Sequence, residues 1–212
     1  MAELSDSLIQ LLDEREGQIS QRIGADEAGT RAAVRTAVPA LLAALSQQAT
    51  PGSGLQRAIE RDHDGSIIDQ LNEYLAGSAQ LSPRTTNGAG ILEHTLGARQ
   101  QDLERTLSAK SGLDMGTIGK LLITLAPILM GMLGKRGRSS GGGSGGFSFD
   151  DIGDLLNREK ADARTQQPDI GDILDSFDTD RSGSRAPTSG SSPSGGGLGG
   201  LLDSILGRKR DG

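Results

Sequence analysis

The chain has 212 residues, a net charge of −6, no cysteine, no tryptophan and only 2% aromatic side chains. The lack of cysteine excludes disulfides, thiol nucleophiles and Cys-ligated metal. Neither half of the chain has the basic excess that a phosphate backbone demands, which argues against nucleic acid as a partner. A core so poor in aromatics must be built from Leu, Ile, Val, Met and Ala, which suits closely packed helices and suits a β-sandwich badly. Met1 leads into Ala2-Glu3-Leu4-Ser5-Asp6. No basic and apolar signal-peptide pattern stands there, so the expected location is the cytoplasm.

In chain order, Leu4, Leu8, Leu11 and Leu12 form a helical stripe that Ile19 and Ile23 resume after Gly17, predicting a helix over 4–23. Asp26 stands where an N-cap belongs. Val34, Val38, Leu41, Leu42 and Leu45 then line one face of a second helix, with Pro39 inside it and a kink expected there. Thr50-Pro51-Gly52-Ser53-Gly54 is a breaker cluster. Leu55 and Ile59 begin a short helix, and Asp62-His63-Asp64-Gly65 reads as a turn. Ser66 is placed to cap a helix that buries Ile67, Ile68, Leu71 and Leu75. A polar loop over 77–90 follows. Ile91, Leu92, Leu96, Leu103 and Leu107 then lead to Asp114, the expected cap of a helix containing Pro127.

Gly24, Asp26, Thr36, Pro39, Leu41 and Leu45 recur without a gap as Gly112, Asp114, Thr124, Pro127, Leu129 and Leu133, 88 residues further on. This points to two pseudo-repeats, about 4–76 and about 90–136, with 147–158 as a candidate completion of the second. The run Leu121–Leu133 is almost wholly apolar. Its 13 residues are fewer than the roughly 20 a spanning helix needs, which favours a buried core helix over a membrane span. The expected fold class is all-α: a duplicated helical domain over 1–136, followed by a mostly disordered Gly/Ser-rich tail over 137–212.

Short helical islands are expected in that tail at 149–158, 168–177 and 198–207. Ile152-Gly153-Asp154-Leu155-Leu156-Asn157, Ile170-Gly171-Asp172-Ile173-Leu174-Asp175 and Leu198-Gly199-Gly200-Leu201-Leu202-Asp203 share one pattern, extended by Phe177, Ile205 and Leu206. Such short helices are marginal alone in water and need a surface to dock on. That surface is either a groove of their own domain or a partner. Ile152, Leu155, Leu156, Ile170, Ile173, Leu174, Phe177, Leu201, Leu202, Ile205 and Leu206 are the candidate partner-binding residues. A protein partner or self-association is expected. Arg208, Lys209 and Arg210 follow the last island, and a basic cluster beside an amphipathic turn adds a minor membrane-surface alternative.

Nothing in the pattern assembles a reaction. His63 and His94 are not joined by any ligand motif and read as solvated or capping side chains. Asp178-Thr179-Asp180-Arg181-Ser182-Gly183 and Glu60-Arg61-Asp62-His63-Asp64-Gly65 begin like calcium loops. Their twelfth positions are Ser189 and Leu71, not the bidentate Glu that closes the shell, so they read as ordinary Asp/Gly turns, with calcium as the alternative. No catalytic residue, metal or cofactor is assigned. The expected function is a non-enzymatic protein-interaction or scaffolding module. The rivals are peripheral membrane association and a metal-dependent enzyme near the histidines.

Gly24 to Leu45, Asp64-Gly65-Ser66-Ile67-Ile68-Asp69, Gly90-Ile91-Leu92-Glu93-His94 and Ser111 to Leu133 together resemble the bacterial family catalogued as domain of unknown function 937, the YidB-like proteins. The resemblance covers roughly residues 4–136. It implies a small, mostly helical bacterial domain, often followed by Gly-rich sequence, and it brings no activity or catalytic residue. Glu93 departs from the small residue expected in that stretch, so the resemblance gives His94 no role.

Overall fold

The computed structural model describes residues 3–140, 149–166 and 168. The chain divides into two units, Met1–Arg181 and Ser182–Gly212, and all the described residues lie in the first. The protein is all-α, and no strand occurs among the described residues. In order, the helices are α1 (Glu3–Asp13), α2 (Glu16–Ile23), α3 (Glu27–Ser46), α4 (Gly54–Asp62), α5 (Ser66–Asp69), α6 (Leu71–Ala76), α7 (Gly88–Thr95), α8 (Gln100–Ser111), α9 (Met115–Ser140) and α10 (Phe149–Gln166). A 3-10 turn over Gly97–Arg99 joins α7 to α8.

The two longest apolar patterns become α3 and α9, and both begin at the same kind of joint. Gly24 and Gly112 each have φ near +76°, a left-handed conformation that ends α2 and α8 at no Cβ penalty. Two residues on, an aspartate caps the next helix. Asp26 accepts the Gly29 N–H at 2.7 Å, and Asp114 accepts the Thr117 N–H at 3.0 Å and the Thr117 hydroxyl at 2.6 Å. The helices then run on through Pro39 and Pro127. Leu41, Leu45, Leu129 and Leu133 are all buried. The correspondence is local to these features. Thr36 is half-buried while Thr124 is buried, although each hydroxyl donates to the carbonyl four residues back.

α3 touches α1, α2, α8, α9 and α10, so Ala40 to Leu45 is buried on every side. Small alanines here let neighbouring axes approach closely. α9 is 26 residues long, not the 13 of its apolar run. By length and composition it could cross a membrane, so the length argument for a core helix does not hold. Burial supplies a better one: 72% of its most apolar window is covered by the rest of the protein. Past Leu133 the helix is held by tertiary contacts. Lys135 pairs with Asp69 at 2.7 Å, and the Arg138 guanidinium donates to the carbonyls of Asp64 and Glu60.

Pro127 has no N–H for the carbonyl of Ile123, four residues earlier. The start of α7 comes in against that oxygen so closely that a Cβ on Gly88 would overlap it. The proline and the glycine together set the α7–α9 contact.

Several local expectations are corrected. The helix expected over 4–23 breaks at Glu14–Arg15, and Gly17 lies inside α2. Gly65, with φ near +93°, holds the cap position expected of Ser66, and the Asp64 carboxylate accepts the Ser66 N–H at 3.0 Å. Gln70 divides the next helix into α5 and α6.

The helical body also continues beyond residue 136. α10 lies along α3 in the most extensive helix–helix contact of the described residues. Its buried face is Phe149, Ile152, Leu156, Glu159 and Ala163, a helical stripe about four turns long. Glu159 is buried among them, and its Oε1 accepts the N–H groups of Leu4 at 2.9 Å and Ser5 at 3.3 Å. It thus supplies acceptors to the first turn of α1, where helix donors have no partner of their own.

Candidate functional site

The end of α4 is positioned by a glycine on another helix. Gly134 of α9 lies so close to the His63 carbonyl oxygen that a Cβ there would overlap it, and one turn earlier Gly131 meets the side chain of Ile67. His63, whose carbonyl meets this bare stretch of α9, is only 3% exposed. Of the two roles expected from sequence, solvated or capping, the solvated one does not hold for His63, which is buried and occupies the C-cap position of α4. Its Nδ1 has no hydrogen-bond partner within the protein. An unpaired buried polar atom costs about 1–3 kcal/mol, so a residue kept in that state calls for an explanation.

His63 forms part of the wall of a half-open cleft of about 240 Å³ between α4, the 77–87 loop, α7 and the middle of α9. Leu55, Ala58, Ile91 and Met130 form its apolar lining, and Gln48, Asp62, Arg84, Asn87 and His94 supply the polar groups. The polar groups are held by identifiable bonds. The Thr85 hydroxyl donates to the Asp62 carbonyl at 2.8 Å and pins the loop to the end of α4. That places the Arg84 guanidinium 4.0 Å from the Asp62 carboxylate. Asn87 caps α7 by accepting the Gly90 N–H at 3.0 Å. The Gln48 side chain donates to the His94 carbonyl at 2.6 Å and ties the end of α3 to the end of α7.

Hydrogen bonds from Arg61 hold the Asp62 carboxyl below the usual carboxylate range. Burial pushes the His63 imidazole below the usual histidine range, with Asp62 and Asp64 pulling the other way. His63 is therefore neutral at physiological pH. The unfolded chain, in which a histidine titrates near 6.5, takes up the proton first. Stability is then complete above about pH 6.5 and falls as the pH drops below that value toward the folded pKa. The expected result is a lower urea midpoint at about pH 5.5 than at about pH 7.5. His63→Gln should remove most of that difference.

The two histidines, 31 positions apart with no motif between them, thus line one cleft. The signal that sequence reading missed lies in α9: Gly131 and Gly134 mark where another backbone comes close. The cleft brings only one carboxylate beside the histidines, and Arg61 already engages it through hydrogen bonds of 3.0–3.3 Å. No acid–base pair with an orienting third group is assembled there. Among the described residues no three His, Asp or Glu side chains come together to hold a metal. In the first calcium-like loop, Asp62 pairs with arginine and Asp64 caps Ser66. The second, 178–189, lies outside the described residues.

Of the candidate partner-binding residues, Ile152 and Leu156 are buried in the α10–α3 contact and Leu155 is partly buried beside them. Ile170, Ile173, Leu174, Phe177, Leu201, Leu202, Ile205 and Leu206 lie outside the described residues, as do Arg208, Lys209 and Arg210.

Fold and cleft together define an all-α domain organised on two proline-containing helices, with a small amphiphilic cleft at the end of α4. Residues 6–136 match the bacterial proteins of unknown function DUF937, and the chain belongs to that family. No curated protein and no solved structure gives a match. The match ends within α9, so α10 covers the family region from outside it.

Proposed function

We propose that this chain is a non-enzymatic protein-interaction module of the bacterial cytoplasm, whose Ile-Gly-Asp-type motifs dock as apolar helical turns on grooves between helices. The observation that carries this reading is the seat of the first motif. In Ile152-Gly153-Asp154-Leu155-Leu156-Asn157, Ile152 and Leu156 are 1% and 0% exposed against the family domain. Its two apolar anchors sit one helical turn apart, while Asp154 and Asn157 remain in solvent. Asp151-Ile152-Gly153-Asp154 recurs letter for letter as Asp169-Ile170-Gly171-Asp172, and Leu156 corresponds to Leu174. The third motif offers Leu198 and Leu202 in the same places. A helix of one or two turns gains its stability from the surface it covers. A groove between helices of a second copy is one such surface, and a helical partner protein is another.

The test is a fluorescence-anisotropy titration of a labelled peptide covering residues 167–178. The titrant is the full chain carrying Ile170→Asp, Leu174→Asp and Leu202→Asp, so that its own motifs do not compete. Saturable binding, lost when the peptide carries the same Ile170→Asp and Leu174→Asp changes, is the expected result. No binding by the unaltered peptide overturns docking between copies. Failure of the full chain to hold any helical partner in reciprocal, motif-dependent pull-downs then removes the remaining form of the reading.

A further inference from the structure

We infer that the cleft at the end of α4 binds a small carboxylate with a compact apolar body, such as an aryl- or branched alkyl-carboxylate of about ten non-hydrogen atoms. The inference is independent of motif docking, since no residue of α10 lines this cleft.

Size sets the first limit. The cleft holds about 240 Å³. A dry cavity of about 150 Å³ accepts one benzene ring, so a ring with a short side chain fits and a long acyl chain does not. Chemistry sets the second. Leu55, Ala58, Ile91 and Met130 offer a lining suited to the body of such a molecule. Charge sets the third. The Asp62 carboxylate is already matched by Arg61. Arg84 stands 4.0 Å from Asp62, beyond hydrogen-bond reach, with its side chain 70% exposed. Two arginines thus share one Asp62 carboxylate, and Arg84, the more loosely held of them, presents at the mouth the fork geometry that suits a carboxylate. The α7 N-terminus, at Asn87 and Gly90 on the same rim, adds positive potential of the same sense.

His63 is the second, separate observation. It is a neutral, almost fully buried imidazole in the wall of the cleft, unpartnered at Nδ1. It lines the cleft together with Leu55 and Met130. Exposure fixes the order of contacts: the exposed Arg84 meets the carboxylate at the mouth, and the apolar body lies against Leu55, Ala58, Ile91 and Met130.

The experiment uses the full chain and two probes of equal body, 3-phenylpropanoate and 3-phenylpropan-1-ol. Amide and histidine-ring NMR spectra are followed through a millimolar titration. Saturable shifts confined to residues around Leu55, Ala58, His63, Ile91 and Met130 are expected, with the acid binding about tenfold more tightly than the alcohol. Arg84→Gln, at an exposed position that does not threaten folding, should abolish that preference and leave alcohol binding in place. Ala58→Phe should block both probes. The inference is overturned if neither probe gives saturable shifts at the cleft. It is also overturned if acid and alcohol bind equally, or if the preference for the acid survives Arg84→Gln.

Discussion

Replacing Gly134 by alanine is expected to destabilise the domain by about 3 kcal/mol or more, lowering the urea midpoint followed by circular dichroism. The added Cβ would overlap the backbone carbonyl oxygen of His63 and meet the Ile59 Cγ2 at 3.5 Å. A backbone atom cannot turn aside as a side chain can, so α4 and α9 would have to separate. His63, Leu55 and Met130 would shift with them, and the cleft would lose its shape. Gly119→Ala provides the contrast on the same helix. Its Cβ would stand 3.4 Å from the Glu104 Oε1, near ordinary contact with the flexible end of a side chain. Alanine there should stabilise by about 0.5–1 kcal/mol through helix propensity. If both substitutions have the same effect, the close approach at Gly134 is not what holds α4 in place.

Leu156→Ala is expected to cost about 2–5 kcal/mol, the range for a fully buried leucine whose site cannot collapse. Leu155→Ala, one position away on the partly buried edge of α10, should cost much less. The contrast within one dipeptide tests whether α10 belongs to the core or merely rests on it. Ending the chain after Ser140 should be at least as damaging as Leu156→Ala. That cut uncovers α3 and removes the Glu159 carboxylate from the first turn of α1. Equal stability of the truncated and full chains would show that the family domain is complete without α10.

Much of this architecture was legible from local pattern. The spacing of Leu4, Leu8 and Leu12, of Val34, Val38 and Leu41, and of Leu103 and Leu107 identifies buried faces, because a helix brings residues three and four apart onto one side. Asp26 and Asp114 were readable as caps, because capping depends on a side chain and a backbone N–H only three residues apart. The break at Glu14–Arg15 was not. Its neighbours continue the apolar stripe, and Arg15 is drawn away by the Leu11 carbonyl and Asn72. The full length of α9 was hidden too, because Gly134-Lys135-Arg136-Gly137-Arg138 looks like the beginning of a linker. What keeps it helical is distant in sequence: Asp69, and the carbonyls of Glu60 and Asp64.

The candidate site was less legible than the fold. Asp62, His63 and Asp64 look like a solvated polar turn, and two of the three do keep polar partners. His63 is buried because α9 presents a glycine where any larger residue would hold α4 away. His94 reaches the same cleft only through the Gln48 bond and the glycine contact that seats α7 on α9.

The sequence by itself determined the all-α class, the buried helical faces, the two Gly–Asp joints and the family, since each rests on residues a few positions apart. Tertiary structure alone decided that α9 runs on past Leu133, that α10 completes the core, and that His63 and His94 share a cleft. Those outcomes depend on how closely two backbones approach, and that distance is set by which residue lacks a side chain on the far helix.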